Sequence, residues 1–152
     1  MKKRVFLGLI FFVASNVYAV PNVWERMLRE DTYSFNISDI KNNSLTINCA
    51  TTFRNGYEEK TREVFVESNG KVISNTENKN PLSFFINDTE SYSPLMRNTP
   101  SKNTDWQSFF TDLKSSTKIE IYNNNKLLFI LNPRNSKKAL TDISECLQTD
   151  IY

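Results

Sequence analysis

The chain contains no histidine. That removes Ser–His and Cys–His nucleophile pairs and most zinc sites. A Gly-rich phosphate loop and a Gly-x-Ser-x-Gly elbow are missing too. Only three glycines occur in 152 residues, so asparagine, serine and threonine must make most of the turns. There are two cysteines and no Cys-x-x-Cys pair, which speaks against a reactive redox couple. Nor is there an excess of one charge. The 19 basic and 17 acidic residues leave a formal +2, which becomes −1 once Lys2, Lys3 and Arg4 are removed with a leader. No basic surface is expected for nucleic acid or for a membrane.

A long apolar run is also absent. Val5 to Ala14 is nearly all apolar, but it falls short of the roughly 20 residues a spanning helix needs. With Met1-Lys2-Lys3-Arg4 before it and Val17-Tyr18-Ala19 after it, this reads as a secretory signal peptide, residues 1–19, cleaved after Ala19. The alternative is an uncleaved anchor. Residues 20–152 then form a single exported β-rich domain, with no membrane insertion after cleavage. In an exported chain two cysteines read as one structural disulfide, Cys49 to Cys146.

The stretch from Lys118 to Cys146 organises the expected fold. Ile119 and Ile121 alternate with Lys118 and Glu120 as in a half-buried strand. Asn123-Asn124-Asn125 suits a tight turn. Leu127 to Leu131 is unbroken apolar and reads as a central strand covered on both faces. Asn132-Pro133 stops it. A helix should start near Asn135 or Ser136, with Ala139, Leu140, Ile143, Cys146 and Leu147 on one stripe.

Earlier in the chain, Val23 to Leu28 places Trp24, Met27 and Leu28 on one helical face. This reads as a short helix closing the core, or as a partner-binding arm. Tyr33, Phe35 and Ile37, then Leu45, Ile47 and Cys49, form a hairpin with one apolar face, which turns Cys49 inward. Arg62 to Glu67, Ser68-Asn69-Gly70 and Lys71 to Ile73 form a second hairpin. Arg54 to Lys60 reads as a polar turn, Ser74 to Asn80 as a polar loop, and Leu82 to Ile86 as a short strand. Thr104 and Gln107 fit a capping box. It opens a helix whose Trp106, Phe109, Phe110 and Leu113 face the core. The fold class is therefore mainly β (α+β): an antiparallel β-sandwich or a curled sheet of hairpins with short helices, its C-terminal helix stapled by one disulfide.

Asp105-Trp106 to Leu113, Ile119-Glu120-Ile121, Phe129-Ile130-Leu131 and Ala139-Leu140 to Cys146 follow one another across the C-terminal third. This succession resembles the tail of the invasion-associated locus B family, small bacterial periplasmic proteins of β-sandwich type without known catalysis. Pro133-Arg134-Asn135 stands where that family usually carries a glycine. The resemblance implies an exported β-domain.

Glu58-Glu59 and Asp88 with Glu90 are the carboxylate pairs, and they sit in polar segments where solvated surface is the expected setting. The expectation is thus no enzyme, no cofactor, no metal and no nucleic acid. It is a non-catalytic periplasmic or secreted domain that binds a protein partner, in envelope function or virulence. The first alternative is a periplasmic inhibitor or immunity protein against a toxin or hydrolase. The second is a carboxylate-dependent hydrolase, for which no spacing speaks. Asn87 to Asn103 is the one long stretch without periodicity, and long loops in small domains tend to be functional or mobile. Tyr92, Leu95, Met96 and Arg97 are its candidate partner contacts. Against that, Leu95 and Met96 could simply tuck into the core.

Overall fold

Alternation of apolar and polar residues builds most of the first sheet. The computed structural model describes residues 19–54, 57–75, 81–94 and 103–147. Five antiparallel strands follow in chain order: β1 (Glu25–Arg29), β2 (Thr32–Ser38), β3 (Ser44–Arg54), β4 (Tyr57–Ser68) and β5 (Lys71–Ser74). Phe35, Ile37, Leu45, Ile47, Cys49, Val64 and Val66 are buried on its inner face. The middle of the outer face is polar. There Ser34 Oγ donates to Asn48 Oδ1 at 2.7 Å and Asn36 Nδ2 donates to Thr46 Oγ1 at 2.7 Å, tying neighbouring strands side chain to side chain.

The second sheet holds β6 (Leu82–Ile86), β7 (Glu90–Tyr92), β8 (Ile119–Asn123) and β9 (Lys126–Leu131), in the order β7-β6-β8-β9. Its inner residues Leu82, Phe84, Ile86, Ile119, Ile121, Phe129 and Leu131 join those of the first sheet in one core. Helix α1 (Asn103–Lys114) carries the chain from β7 to β8. Its Trp106, Phe109, Phe110 and Leu113 are buried as their spacing requires. Phe109 lies 5.3 Å from Phe84, and Phe110 lies 5.2 Å from Trp106, between ring centroids. Each such side chain contributes roughly 1.5–3 kcal/mol by leaving water. That holds a helix of 12 residues, a length that is marginal alone in water.

Asparagine makes several of the turns. Asn69 and Gly70 sit at φ 52° and 70°, and Asn124 and Asn125 at 48° and 66°. Positive φ at both central residues is the hairpin geometry that matches strand twist. The disulfide forms as expected: Cys49 on β3 is bonded to Cys146, with Cα atoms 5.4 Å apart.

Five expectations are corrected. Val23 to Leu28 is not helical. Trp24 is buried, but Glu25–Arg29 is an edge strand on β2, and Met27 and Leu28 are about half exposed. Pairing with β2 overrides a weak helical spacing, and the turn that enables it, Glu30-Asp31, carries neither Gly nor Asn. The polar turn at 54–60 is much tighter, since β3 and β4 stay in register from Ser44↔Glu67 to Arg54↔Tyr57. The stretch from Asn87 to Asn103 contains the short strand β7. The capping box does not mark the start of α1, which already includes Asn103 and Thr104.

The last correction concerns the organising stretch itself. β9 is an edge strand, not a central one. The helix after it is one α turn, α2 (Ser136–Ala139), followed by a 3-10 helix, Thr141–Cys146. The Thr141 hydroxyl donates to the Lys137 and Lys138 carbonyls at 3.2 and 2.9 Å, a local bond that competes with regular helix. Leu140, Ile143 and Cys146 are buried at a spacing of three, which fits three residues per turn.

Candidate functional site

An inner face must be apolar to fold; an outer face need not be. The outer face of the second sheet groups several exposed apolar side chains on neighbouring strands. Cross-strand pairing sets Phe85 opposite Glu120, Glu120 opposite Ile130, and Tyr122 opposite Leu127. A register shift at Ile121/Tyr122 brings Leu127 level with Tyr122, as a β-bulge does. Phe85, Leu127 and Ile130 are 37%, 44% and 36% exposed. The Phe85 ring meets Tyr122 edge-on at 5.3 Å. Ile130 also borders a cleft of about 470 Å³ that Ile40 lines too, itself 79% exposed.

Glu120 is the charge in the middle of this apolar surface, and it is held from two sides. Tyr122 donates its hydroxyl to Glu120 Oε2 at 3.1 Å, and Lys118 Nζ lies 2.9 Å from Oε1. Lys118 also reaches Asp88 Oδ1 at 2.6 Å. The bonds to Asp88 and Glu120 hold the ammonium well above the usual lysine range. Burial, then the bond to Glu120, pushes the Tyr122 phenol up. The patch therefore presents apolar groups around a carboxylate that shares one lysine with Asp88. Such a surface loses little by leaving water, which suits contact with another protein.

The residues singled out from sequence fall elsewhere. Tyr92 ends β7 and is half-buried against Phe109, 5.5 Å between ring centroids, with its hydroxyl donated to Asp112. Leu95, Met96 and Arg97 lie outside the described residues. A polar cleft of about 740 Å³ opens beside Tyr92 and Pro94 and along α1. Asp105 and Asp112 line it seven residues apart, so their backbones are separated by about 10.5 Å of helix rise. Asp88 is exposed and paired with Lys118; the side chains of Glu58, Glu59 and Glu90 lie outside the description. Among the described residues, no group of three His, Cys, Asp or Glu could hold a metal ion, and no helix is long and apolar enough to cross a membrane.

Sequence reasoning passed over Arg62. It lies fully buried on β4, its guanidinium carbon 5.3 Å from the Trp106 ring centroid. Burial lowers its pKa to about 10. Alternation alone places residue 62 inward with Val64 and Val66, so period two was the available signal. Stacking on an indole is a recurrent way to bury a guanidinium, and the structural role accounts for it.

The N-terminal end of the domain is clamped by another residue without a distinctive signal. Asn135 Nδ2 donates to the Trp24 carbonyl at 3.0 Å, and its Oδ1 accepts from the Trp24 N–H at 2.7 Å. Arg134 N–H donates to the Asn22 carbonyl at 3.0 Å, and Asn132 N–H to Asn22 Oδ1 at 3.0 Å. The two ends of the domain are thus zipped together along Pro133, which is buried.

No curated protein and no solved structure matches this chain. The likeness to invasion-associated locus B proteins rests on the C-terminal elements alone and finds no support from a relative. A family model does match, over residues 22–140. It spans both sheets, from the Asn22 clamp to the first buried residue of the C-terminal stripe, Leu140, and the chain belongs to the YfjT family.

Proposed function

We propose that this is an exported, non-catalytic protein-binding domain, acting in the envelope or outside the cell, that docks a protein partner on the outer face of its second sheet. The observation that carries this reading is the cluster of Phe85, Tyr122, Leu127 and Ile130 on one solvent-facing side of a four-stranded sheet. Phe85, Leu127 and Ile130 are exposed beside Tyr122, and burying them against a partner would be favourable at about 25 cal/mol per Å². The disulfide supports an oxidising compartment, and the leader-like start supports export with cleavage after Ala19.

The test is capture from the host. A photo-crosslinking residue placed at position 85 should trap a specific protein in living cells, and the same probe at position 63, on the polar outer face of the first sheet, should not. Leu127→Glu with Ile130→Glu should abolish that product while leaving the melting temperature within about 3 °C, as expected for exposed sites. A crosslinked product unaffected by the double variant would remove this face from the reading. Positions 95–97 form a second candidate contact, and a probe at position 97 reads it in the same experiment.

A further inference from the structure

We propose that β1 is a self-pairing edge: two copies of this chain join antiparallel through Glu25–Arg29 and turn two five-stranded sheets into one continuous ten-stranded sheet.

Three independent features agree on it. The first is availability. β1 is the terminal strand of its sheet, and all five of its residues are exposed. Edge strands of soluble domains are usually blunted by a bulge, a proline or an inward-pointing charge. β1 has a regular register with β2 and no proline; its one charge on the inner side, Arg26 opposite Phe35, is taken up by Asp142, and Met27 and Leu28 at its middle are 50% and 53% exposed.

The second is hydrogen-bond phase. Arg29 and Thr32 flank the two-residue turn Glu30-Asp31, so they form a pair that exchanges both main-chain bonds. The phase alternates from there. Met27 and Glu25 also bond to β2, while the N–H and C=O groups of Arg26 and Leu28 point to the open edge. Trp24 has the same parity, and it checks the phase: its N–H and C=O are both taken by Asn135 rather than by β2. Asn135 thereby fills the edge beside Trp24 and leaves the edge open only along the five residues of β1.

The third is register. Antiparallel pairing about a twofold axis at Met27 sets Arg26 opposite Leu28 of the second copy, and Leu28 opposite its Arg26. Those are the residues with outward main-chain groups, so each pair exchanges two N–H···O bonds. The same register sets Glu25 opposite Arg29 of the second copy, twice. In this phase Glu25 and Arg29 form the close, non-hydrogen-bonded pairs, where opposite charges attract most strongly. Met27 meets its own copy on the axis. The sequence Glu-Arg-Met-Leu-Arg is thus self-complementary in charge at its ends and apolar at its centre. An isologous contact requires that pattern. Arg26 does not oppose it, because its guanidinium is bound to Asp142 of the 3-10 helix.

The experiment is sedimentation equilibrium on the protein expressed from the full-length gene and purified in the form the cell accumulates. Such a small contact gives a weak complex, so the loading must reach about 0.5 mM. The expected mass is twice that of one chain. Glu25→Arg sets like charges opposite each other at both ends and should weaken the dimer at least about tenfold. Arg29→Glu should do the same. The double swap, Glu25→Arg with Arg29→Glu, should restore it. Hydrogen exchange gives a second reading: the amides of Arg26 and Leu28 should become protected as concentration rises. A single-chain mass for the unaltered protein, a Glu25→Arg variant that sediments like it, or a double swap that stays monomeric would each overturn the proposal. So would Arg26 and Leu28 amides that exchange at the same rate at all concentrations.

Discussion

Replacing both cysteines by alanine tests how the C-terminal helix is held to the first sheet. Other ties between them include Arg26 to Asp142 and Lys60 Nζ to the Glu145 carbonyl, both at exposed positions. Exposed pairs contribute little, about 0–1 kcal/mol. The bond from Cys49 to Cys146 spans a sequence separation of 97 residues. A closed loop of that size removes about 16 cal/mol/K of entropy from the unfolded chain, or about 4.7 kcal/mol at 25 °C. Both sulfurs are buried, at 4% and 0% exposure for their residues, so alanine rather than serine keeps an unpartnered hydroxyl out of the core. With a urea slope of about 2 kcal/mol/M, the midpoint should fall by roughly 2 M. The slope should rise slightly, because an unlinked unfolded chain exposes more surface. Urea unfolding followed by tryptophan fluorescence measures both, and a reductant added to the unaltered protein should reproduce most of the shift. A loss below about 1 kcal/mol would refute the reasoning. It would mean that the buried Leu140 and Ile143 and the polar ties hold this segment on the sheet without the disulfide.

Three further predictions concern single positions. Asn135→Ala removes both bonds to the Trp24 main chain and should cost roughly 1–3 kcal/mol by leaving a half-buried N–H unmet; urea midpoints measure it. Glu30 holds φ 50° in the first hairpin turn, where glycine carries no steric cost, so Glu30→Gly should raise stability by about 0.5–1 kcal/mol. Lys118 has its pKa raised by Asp88 and Glu120. Its contribution is therefore complete below the ordinary lysine value of about 10.4 and is lost as pH climbs through the higher folded value. The stability difference between the unaltered protein and Lys118→Met should then be constant from about pH 7 to pH 9 and shrink above about pH 10.5. A difference that shrinks at neutral pH instead would show that Lys118 does not act through this pair.

Inner faces were legible because burial imposes a period. Phe35 and Ile37, Leu45 to Cys49, Val64 and Val66, and the α1 stripe from Trp106 to Leu113 all follow from that one constraint. So did the disulfide, once Cys49 and Cys146 both fell on inward positions. Edges were not legible, because whether a strand has a neighbour on its far side depends on distant pairing. β1 carries no periodic signal of its own, and its turn residue Glu30 sits in a conformation its type disfavours. Asn135 gave no signal either, since its partner is the main chain of Trp24, 111 residues away. The case of β9 goes further. Leu127 to Leu131 looked like a central strand because every residue is apolar. Placed at an edge, the same run has apolar side chains on both faces, and only Phe129 and Leu131 are needed inside. Leu127 and Ile130 are then surplus to folding. An exposed apolar residue that folding does not require must either be tolerated or be used. Here it stands with Phe85 and Tyr122 around a carboxylate paired with Lys118. The feature that misplaced the strand in the fold is therefore the one on which the proposed docking face rests.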